Sequence, residues 1–481
     1  MGGLFGVFSN TDCVDDLYYG TDYHSHLGTV RGGLAVANSK GFQRYIKDIT
    51  TAQFRSKFEK DIKKMHGKKG IGVISDYDDQ PLIINSRLGV FAIVTVGRIN
   101  NIDSLAEEAL QKGAHFSEMH GSEINPTEMV GTIISQGETF KGGIKNVQDK
   151  IDGSCTMLIL TEEGIYAARD KYGRTPLIIG ERFGAYAVTM ETCAFPNLGY
   201  KIRKSLGPGE VIYISGEGLE QVLPPGDRLQ ICAFLWVYYG YPASSYEGIN
   251  VEFARYKCGS YLARNDEADI DLVAGIPDSG TAHGLGYASQ KNLPFSRPFV
   301  KYTPTWPRSF MPQDQKVRDQ VAKMKLIPIQ DLIKDKKLLF CEDSIVRGTQ
   351  LRKQIQRLFE AGAKEVHMRP ACPPLIYGCK FLNFSRSRSE LDLAGRQAIK
   401  ELNGKDTENP ADYADPESPK HKAMVEKIRK KLNLTSLKYQ KLDDLVKAIG
   451  LPKDWLCTYC WDGKGLIIEL EELESQKALN E

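Results

Sequence analysis

The chain has 481 residues, too many for one compact core, so two or three domains are expected. Its 63 basic and 61 acidic residues nearly cancel, which leaves no field for binding nucleic acid or an anionic membrane. No segment approaches ~20 uninterrupted apolar residues, and the start lacks a signal-type n-region and cleavage site, so a soluble cytoplasmic protein is expected. The Met-Gly opening is not a myristoylation signal, because the sixth residue is Gly6 rather than Ser or Thr. Ten cysteines in such a chain do not read as a disulfide framework, and some are candidates for metal.

From the start to about residue 225, apolar stretches are punctuated by glycine. "GVFAIVTVGRI" (89–99), "SCTMLILTEEGIYAARD" (154–170) and "LIIGERFGAYAVTM" (177–190) predict strands joined by tight turns. "LPPGDRLQ" (223–230) predicts a linker. From Ile231 to about Pro374 strands alternate with helices, the signature of a parallel sheet. "DIDLVAGIPDSGTAHGLGYASQ" (269–290) reads as buried strand, Pro277-Asp278-Ser279-Gly280 loop, then helix.

The segment 301–318 is stiffened by proline and carries Lys301, Arg308, Lys316 and Arg318. It reads either as a rigid surface loop or as a lid closing over an anionic ligand. Further on, "KKLLFCEDSIVRGTQL" (336–351) places two carboxylates and a Ser-to-Thr turn between a strand and a helix over 350–363. Backbone N–H groups in such a loop suit a phosphate, and adjacent acids suit sugar hydroxyls or a divalent metal. The same residues also suit an ordinary capped helix start. Two phosphate-suited loops at strand ends of one sheet would share a crevice.

Residues 384–430 are charged and poor in large apolar side chains, which predicts an exposed helix and a flexible insertion around 403–422. "LTSLKYQKLDDLVKAIG" (434–450) returns to helical periodicity. "WLCTYCWDG" supplies Cys457 and Cys460 in C-x-x-C spacing, which alone fits zinc, redox chemistry or nothing.

Taken together, these motifs resemble one family. "CEDSIVRGTQ" resembles the phosphoribosyl-pyrophosphate (PRPP) signature of type I phosphoribosyltransferases, commonly written with two aspartates before Ser-Ile-Val-Arg-Gly-Thr. "IPDSGTAHGLGYA" resembles the pyrophosphate loop of the amidophosphoribosyltransferases, which catalyse the first committed step of purine synthesis. "ICAFLWVYYGYPAS", "RSFMPQDQKVR", "CPPLIYGCKF", "LGPGEVIYI", "RDKYGRTPLIIG" and "TEMVGTII" are similar to further stretches of it. The likeness covers most of the chain except about 400–425.

The resemblance implies an α+β N-terminal-nucleophile-hydrolase-like domain, with stacked antiparallel sheets between helices, over 1–225. An α/β type I phosphoribosyltransferase domain with a parallel sheet would follow over 226–383. A C-terminal helical segment over 384–481 would hold the charged insertion and the Cys-x-x-Cys pair. By resemblance Pro277, Asp278, Ser279 and Gly280 cradle pyrophosphate. Glu342 and Asp343 address the ribose hydroxyls and Mg²⁺. Ser344, Ile345, Val346, Arg347, Gly348 and Thr349 hold the 5-phosphate. Asp343, Glu342 and the lid residue Arg308 are the expected catalytic groups. Cys232, Cys379, Cys457 and Cys460 match the four ligands of a 4Fe–4S cluster held by part of the family.

The glutamine site departs from the family. Its glutaminases begin Cys-Gly-Ile-Phe-Gly, whereas this chain begins Met1-Gly2-Gly3-Leu4-Phe5-Gly6, with Gly2 in the place of the nucleophile. The family's His-Val-Arg-Tyr reads Val73-Ile74-Ser75-Asp76, losing the arginine for glutamine's carboxylate. His-Asn-Gly-Asn reads Thr95-Val96-Gly97-Arg98, losing the oxyanion asparagine, and Ser-Asp-Ser-Glu reads Asn125-Pro126-Thr127-Glu128. In the transferase half Glu342 replaces an aspartate, Gln350 a threonine and Tyr241 an arginine.

The expected reaction is therefore phosphoribosyl transfer from PRPP to ammonia, free or delivered by a separate protein, giving phosphoribosylamine and pyrophosphate. Transfer to another nitrogen nucleophile, and PRPP or nucleotide sensing without turnover, are the alternatives. A homo-oligomer is expected.

Overall fold

The computed structural model describes residues 2–120, 123–264, 266–302, 326–383, 390–407 and 410–464. Its first half is built on two antiparallel sheets. One has seven strands in the order Lys201–Ser205, Ile178–Arg182, Ala185–Thr189, Gly3–Ser9, Lys69–Ser75, Arg31–Asn38 and Gly41–Asp48. The other has six, in the order Gly218–Leu223, Val211–Ser215, Ile165–Ala168, Gly153–Leu160, Gly89–Ile99 and Leu82–Ser86.

Period-two alternation sorts the side chains of these strands into layers. Leu4, Ala35, Ala37, Ile71 and Val73 face Ala92, Val94, Val96, Leu158 and Leu160 between the sheets. Their sequence neighbours Phe5, Val7, Leu34, Val36 and Ile74 point the other way, under the helices Val14–Asp22 and Phe54–Ile62. Phe91, Ile93, Met157 and Ile159 do the same beneath Pro126–Gln136 and Phe140–Lys150. The result is helices, two sheets, helices, as the resemblance implies.

The second half has a parallel sheet in the order Leu272–Gly275, Lys337–Glu342, Glu365–Pro370 and Ser436–Leu437. Both faces are buried, which explains the continuous apolar runs. Val273, Leu339 and Cys341 pack on one side, near helix residues Ala254, Cys258 and Tyr287. Leu338, Phe340, Val366 and Met368 pack on the other with Ile355, Leu358, Met424 and Ile428.

Three details correct the sequence reading. The helical periodicity over 434–450 yields a helix only at Leu442–Ile449, and Ser436–Leu437 is instead an edge strand. The charged stretch 403–422 carries the helix Ala411–Ala414 and the start of the helix Pro419–Leu432. That second helix buries His421, Met424, Ile428 and Leu432 along one narrow face. A high charge density conceals this stripe because the other faces are solvated.

Candidate functional site

The crevice begins where two neighbouring parallel strands end together. Gly275 pairs with Cys341 in register, so the loops after each strand leave the same edge of the sheet. The first loop turns back tightly enough that Ile276 N donates to the Cys341 carbonyl at 2.9 Å. A Cβ on Gly280 would lie 2.3 Å from that same carbonyl oxygen, so only glycine permits this approach. The loop then opens the helix Thr281–Lys291.

In the second loop Asp343 is buried and ties the two together. One carboxylate oxygen accepts the Ser279 hydroxyl at 2.6 Å, and the other accepts the Ser344 hydroxyl at 2.6 Å. Glu342 accepts the Asp343 backbone N–H at 3.1 Å. Burial, with Asp343 beside it, pushes the Glu342 carboxyl well above the usual carboxylate range. Gly348 has φ +75°, a left-handed step that turns the loop into the helix Thr349–Glu360.

Peripheral charges are already paired. Asp278 meets Lys301 at 2.6 Å and Arg347 meets Asp392 at 3.1 Å. The structure thus joins Ser279, Glu342 and Ser344 through Asp343, so the two loops meet at that residue. Arg308 and the rest of 303–318 lie outside the described residues. Lys301 was singled out only as part of that basic segment, and nothing in the sequence points to its partner.

A second cavity, of about 590 Å³, opens in the N-terminal half. Gly2, Ser75, Val96, Gly97, Arg98, Asn125 and Pro126 all line it, so positions spread over more than a hundred residues meet in one place. Asn125 is occupied as a helix cap, accepting from Thr127 N at 2.8 Å. Glu128 is turned away, holding the backbone N–H groups of Ser117 and Glu118 at 2.8 and 2.9 Å. Cys155 also lines the cavity, but burial raises its thiol pKa far beyond the range in which it would ionise.

The third feature joins the halves. Ile231–Cys232 pairs in parallel with Leu456–Cys457, which sets Cys232 opposite Cys457. Cys379 and Cys460 complete the wall of one small cavity, together with Arg174, Phe381 and Trp461. The hydrogen bond from Cys460 lowers the Cys379 thiol pKa, and Leu382 N donates to the Cys379 sulfur at 3.3 Å. Among the described residues no three His, Cys, Asp or Glu side chains are gathered tightly enough to hold a single metal ion. The segment carrying Cys379 docks on the N-terminal half: Ser154 Oγ donates to the Phe381 carbonyl at 2.7 Å, and Asn383 Nδ2 to the Gly97 carbonyl at 3.1 Å. The other six cysteines are free and buried. Sequence reasoning missed Arg174, whose neighbours give no local signal of its position.

Residues 68–196 match the family model described as a glutamine amidotransferase domain. The chain is 29% identical to the amidophosphoribosyltransferase of Methanocaldococcus jannaschii, covering 96% of this chain and 97% of that one. It is 28% identical to that of Bacillus subtilis, over 96% and 93%. The solved glutamine PRPP amidotransferase from B. subtilis, complexed with ADP and GMP, superposes with a TM-score of 0.81 at 27% identity, covering 96% of this chain and 97% of that one. A second structure, described as the allosteric regulatory enzyme of purine biosynthesis, gives 0.82 at 27% identity, covering 96% of each chain.

An amidotransferase-type pair of stacked antiparallel sheets, followed by a parallel sheet with a two-loop crevice, defines a two-domain transferase of the pentosyl class. Over nearly its whole length the chain is similar to the amidophosphoribosyltransferases.

Proposed function

We propose that this protein transfers the phosphoribosyl group of PRPP to ammonia and does not draw that ammonia from glutamine. The observation that carries the reading is Asp343, one buried carboxylate holding a hydroxyl from each of the two crevice loops. In this reading Asp343 would serve the sugar, between a pyrophosphate loop at Pro277–Gly280 and a 5-phosphate loop at Ser344–Thr349. In the reaction the bond from the sugar's anomeric carbon to pyrophosphate breaks, and the ammonia nitrogen bonds to that carbon and releases a proton to solvent. Positive charge builds on the ring as pyrophosphate departs, so the site must stabilise both. Glu342 and Asp343 would address the ribose hydroxyls and Mg²⁺, and the metal would supply charge to the leaving group. Ammonia is already nucleophilic and needs positioning in a dry crevice more than a base. Arg308 would contribute from the 301–318 segment.

The N-terminal domain, 1–225, would keep its shape without glutaminase chemistry. Gly2 supplies no thiol, and the cavity wall at Ser75, Val96 and Pro126 lacks the expected glutamine contacts. Residues 226–383 form the transferase domain in this reading, and 384–481 complete it.

The four thiols fit a 4Fe–4S cluster. They share one cavity and match the required ligand count. Each thiolate of such a cluster serves a different iron. Cys232, Cys379, Cys457 and Cys460 would hold it, and its contribution would be structural, tying segments distant in sequence to one another. The enzyme is expected to be a cytoplasmic homo-oligomer, with ammonia free or supplied by a separate protein.

Pyrophosphate release from PRPP and Mg²⁺ tests the reading, run with ammonium, with glutamine and with a panel of amines. Ammonium-dependent release without a glutamine response is expected. Release only with another amine would make that amine the acceptor, and binding without any release would leave a sensor.

A further inference from the structure

Arg174 is 1% exposed, yet none of its three guanidinium nitrogens has a hydrogen-bond partner among the described residues. It stacks on the ring of Phe381, whose centroid lies 3.3 Å from the guanidinium carbon. The same loop satisfies another arginine fully. Arg169, equally buried, donates to the carbonyls of Thr175, Leu206 and Gly173 and pairs with Glu247 at 2.8 Å. Asp170 is close enough to feel the Arg174 charge, but its oxygens accept the N–H groups of Tyr172 and Thr175, and it forms no ion pair with Arg174. A buried charge left unpaired is strongly unfavourable, so one that persists points to an anion the fold expects at that place.

Arg174 lies on the wall of the cavity that also presents Cys232, Cys379, Cys457 and Cys460. The four thiols come from the transferase half and the C-terminal segment, whereas Arg174 comes from the amidotransferase-like half. We propose that Arg174 is a positioning residue for a thiolate-held cluster, reaching across the domain boundary as its counter-charge. This rests on reading the thiol cavity as a cluster site. Four thiolates make such a cluster net anionic, and a fixed cation within a low-dielectric wall favours its more negative, reduced form. The cluster would in turn neutralise Arg174, and the Arg174 carbonyl accepts Cys232 N–H at 3.0 Å. Cluster and domain contact would therefore stabilise one another.

The test uses full-length protein prepared anaerobically as wild type, Arg174→Gln and Arg174→Lys. Iron and sulfide content, the midpoint potential from a spectroscopically monitored redox titration, and the rate of iron loss to a chelator are measured. Arg174→Gln should shift the potential to more negative values and release iron severalfold faster. Arg174→Lys, which keeps the charge but draws it back, should fall between. A Gln variant with wild-type potential and wild-type iron release overturns the role of Arg174 while the cluster stands. If the Gln variant does not fold, Arg174→Met, which removes the charge but keeps the apolar bulk, with wild-type potential and wild-type iron release overturns it equally. Wild type that takes up no iron and sulfide overturns the cluster reading itself, and the Arg174 proposal with it.

Discussion

Restoring the missing nucleophile alone should not restore glutamine hydrolysis. In Gly2→Cys the new Cβ would sit 2.6 Å from the Ile74 carbonyl oxygen and 3.2 Å from Val96 Cγ2. Ile74 belongs to the strand paired with Gly3, so its carbonyl cannot step aside without disturbing the sheet. Accommodating such overpacking costs about 1–3 kcal/mol. The chemistry carries further deficits. On the proposed reading Val96 stands where an oxyanion donor would be, and the loss of one such donor lowers turnover by about 10²–10³. On the same reading Ser75 stands where an arginine clamp would be, and its loss removes a charge-assisted hydrogen bond worth about 1.5–3 kcal/mol, roughly ten- to a hundredfold in binding. Together these place Gly2→Cys some ~10³–10⁵ below a competent glutaminase. Glutamate release would be followed with purified variant whose N-terminus is shown by mass spectrometry to have lost Met1. A rate within about a hundredfold of a glutamine-hydrolysing relative assayed in parallel would refute the reasoning, because the wall would then suffice once a thiol is present.

Asp343→Asn removes one of the two acceptor oxygens that join the crevice loops. PRPP binding with Mg²⁺ should weaken roughly ten- to a hundredfold by calorimetry, while ribose 5-phosphate binding changes little, and an equal loss for both ligands would contradict the assignment. Anaerobic wild type should contain about four irons and four sulfides per chain. Cys379→Ser should lose them together with several degrees of thermal stability, and unchanged iron content would exclude Cys379 as a ligand. His24 is fully buried, with Nδ1 on the Gly20 carbonyl at 2.9 Å, and burial pushes its pKa down to about 4. The unfolded chain then binds one more proton between about pH 6.5 and 4, so this residue destabilises the fold by roughly 3 kcal/mol as pH falls through that window. His24→Asn should flatten the dependence of the urea midpoint on pH there, and an unaltered slope would show that His24 does not carry it.

What the sequence made legible was local. The run from Lys336 announces strand, loop and helix within sixteen residues, and the strand Gly89–Ile99 is bounded as its own apolar pattern predicts. The two-residue strands Ile231–Cys232, Leu456–Cys457 and Ser436–Leu437 had no such signal, because pairing with remote segments creates them. The bond from Ser279 to Asp343 spans 64 positions and depends on the register of two parallel strands. Arg174 is the extreme case. An arginine after a glycine turn reads as a surface charge until the fold closes Phe381 over it.

The source of the transferred nitrogen decides the proposed function most directly. Wild-type protein with PRPP and Mg²⁺ would be given either ¹⁵N-ammonium or amide-¹⁵N-glutamine, and the phosphoribosylamine formed, trapped chemically, would be weighed by mass spectrometry. Label should enter from ammonium and not from glutamine. Label entering from the glutamine amide, or no phosphoribosylamine from either source, would contradict it.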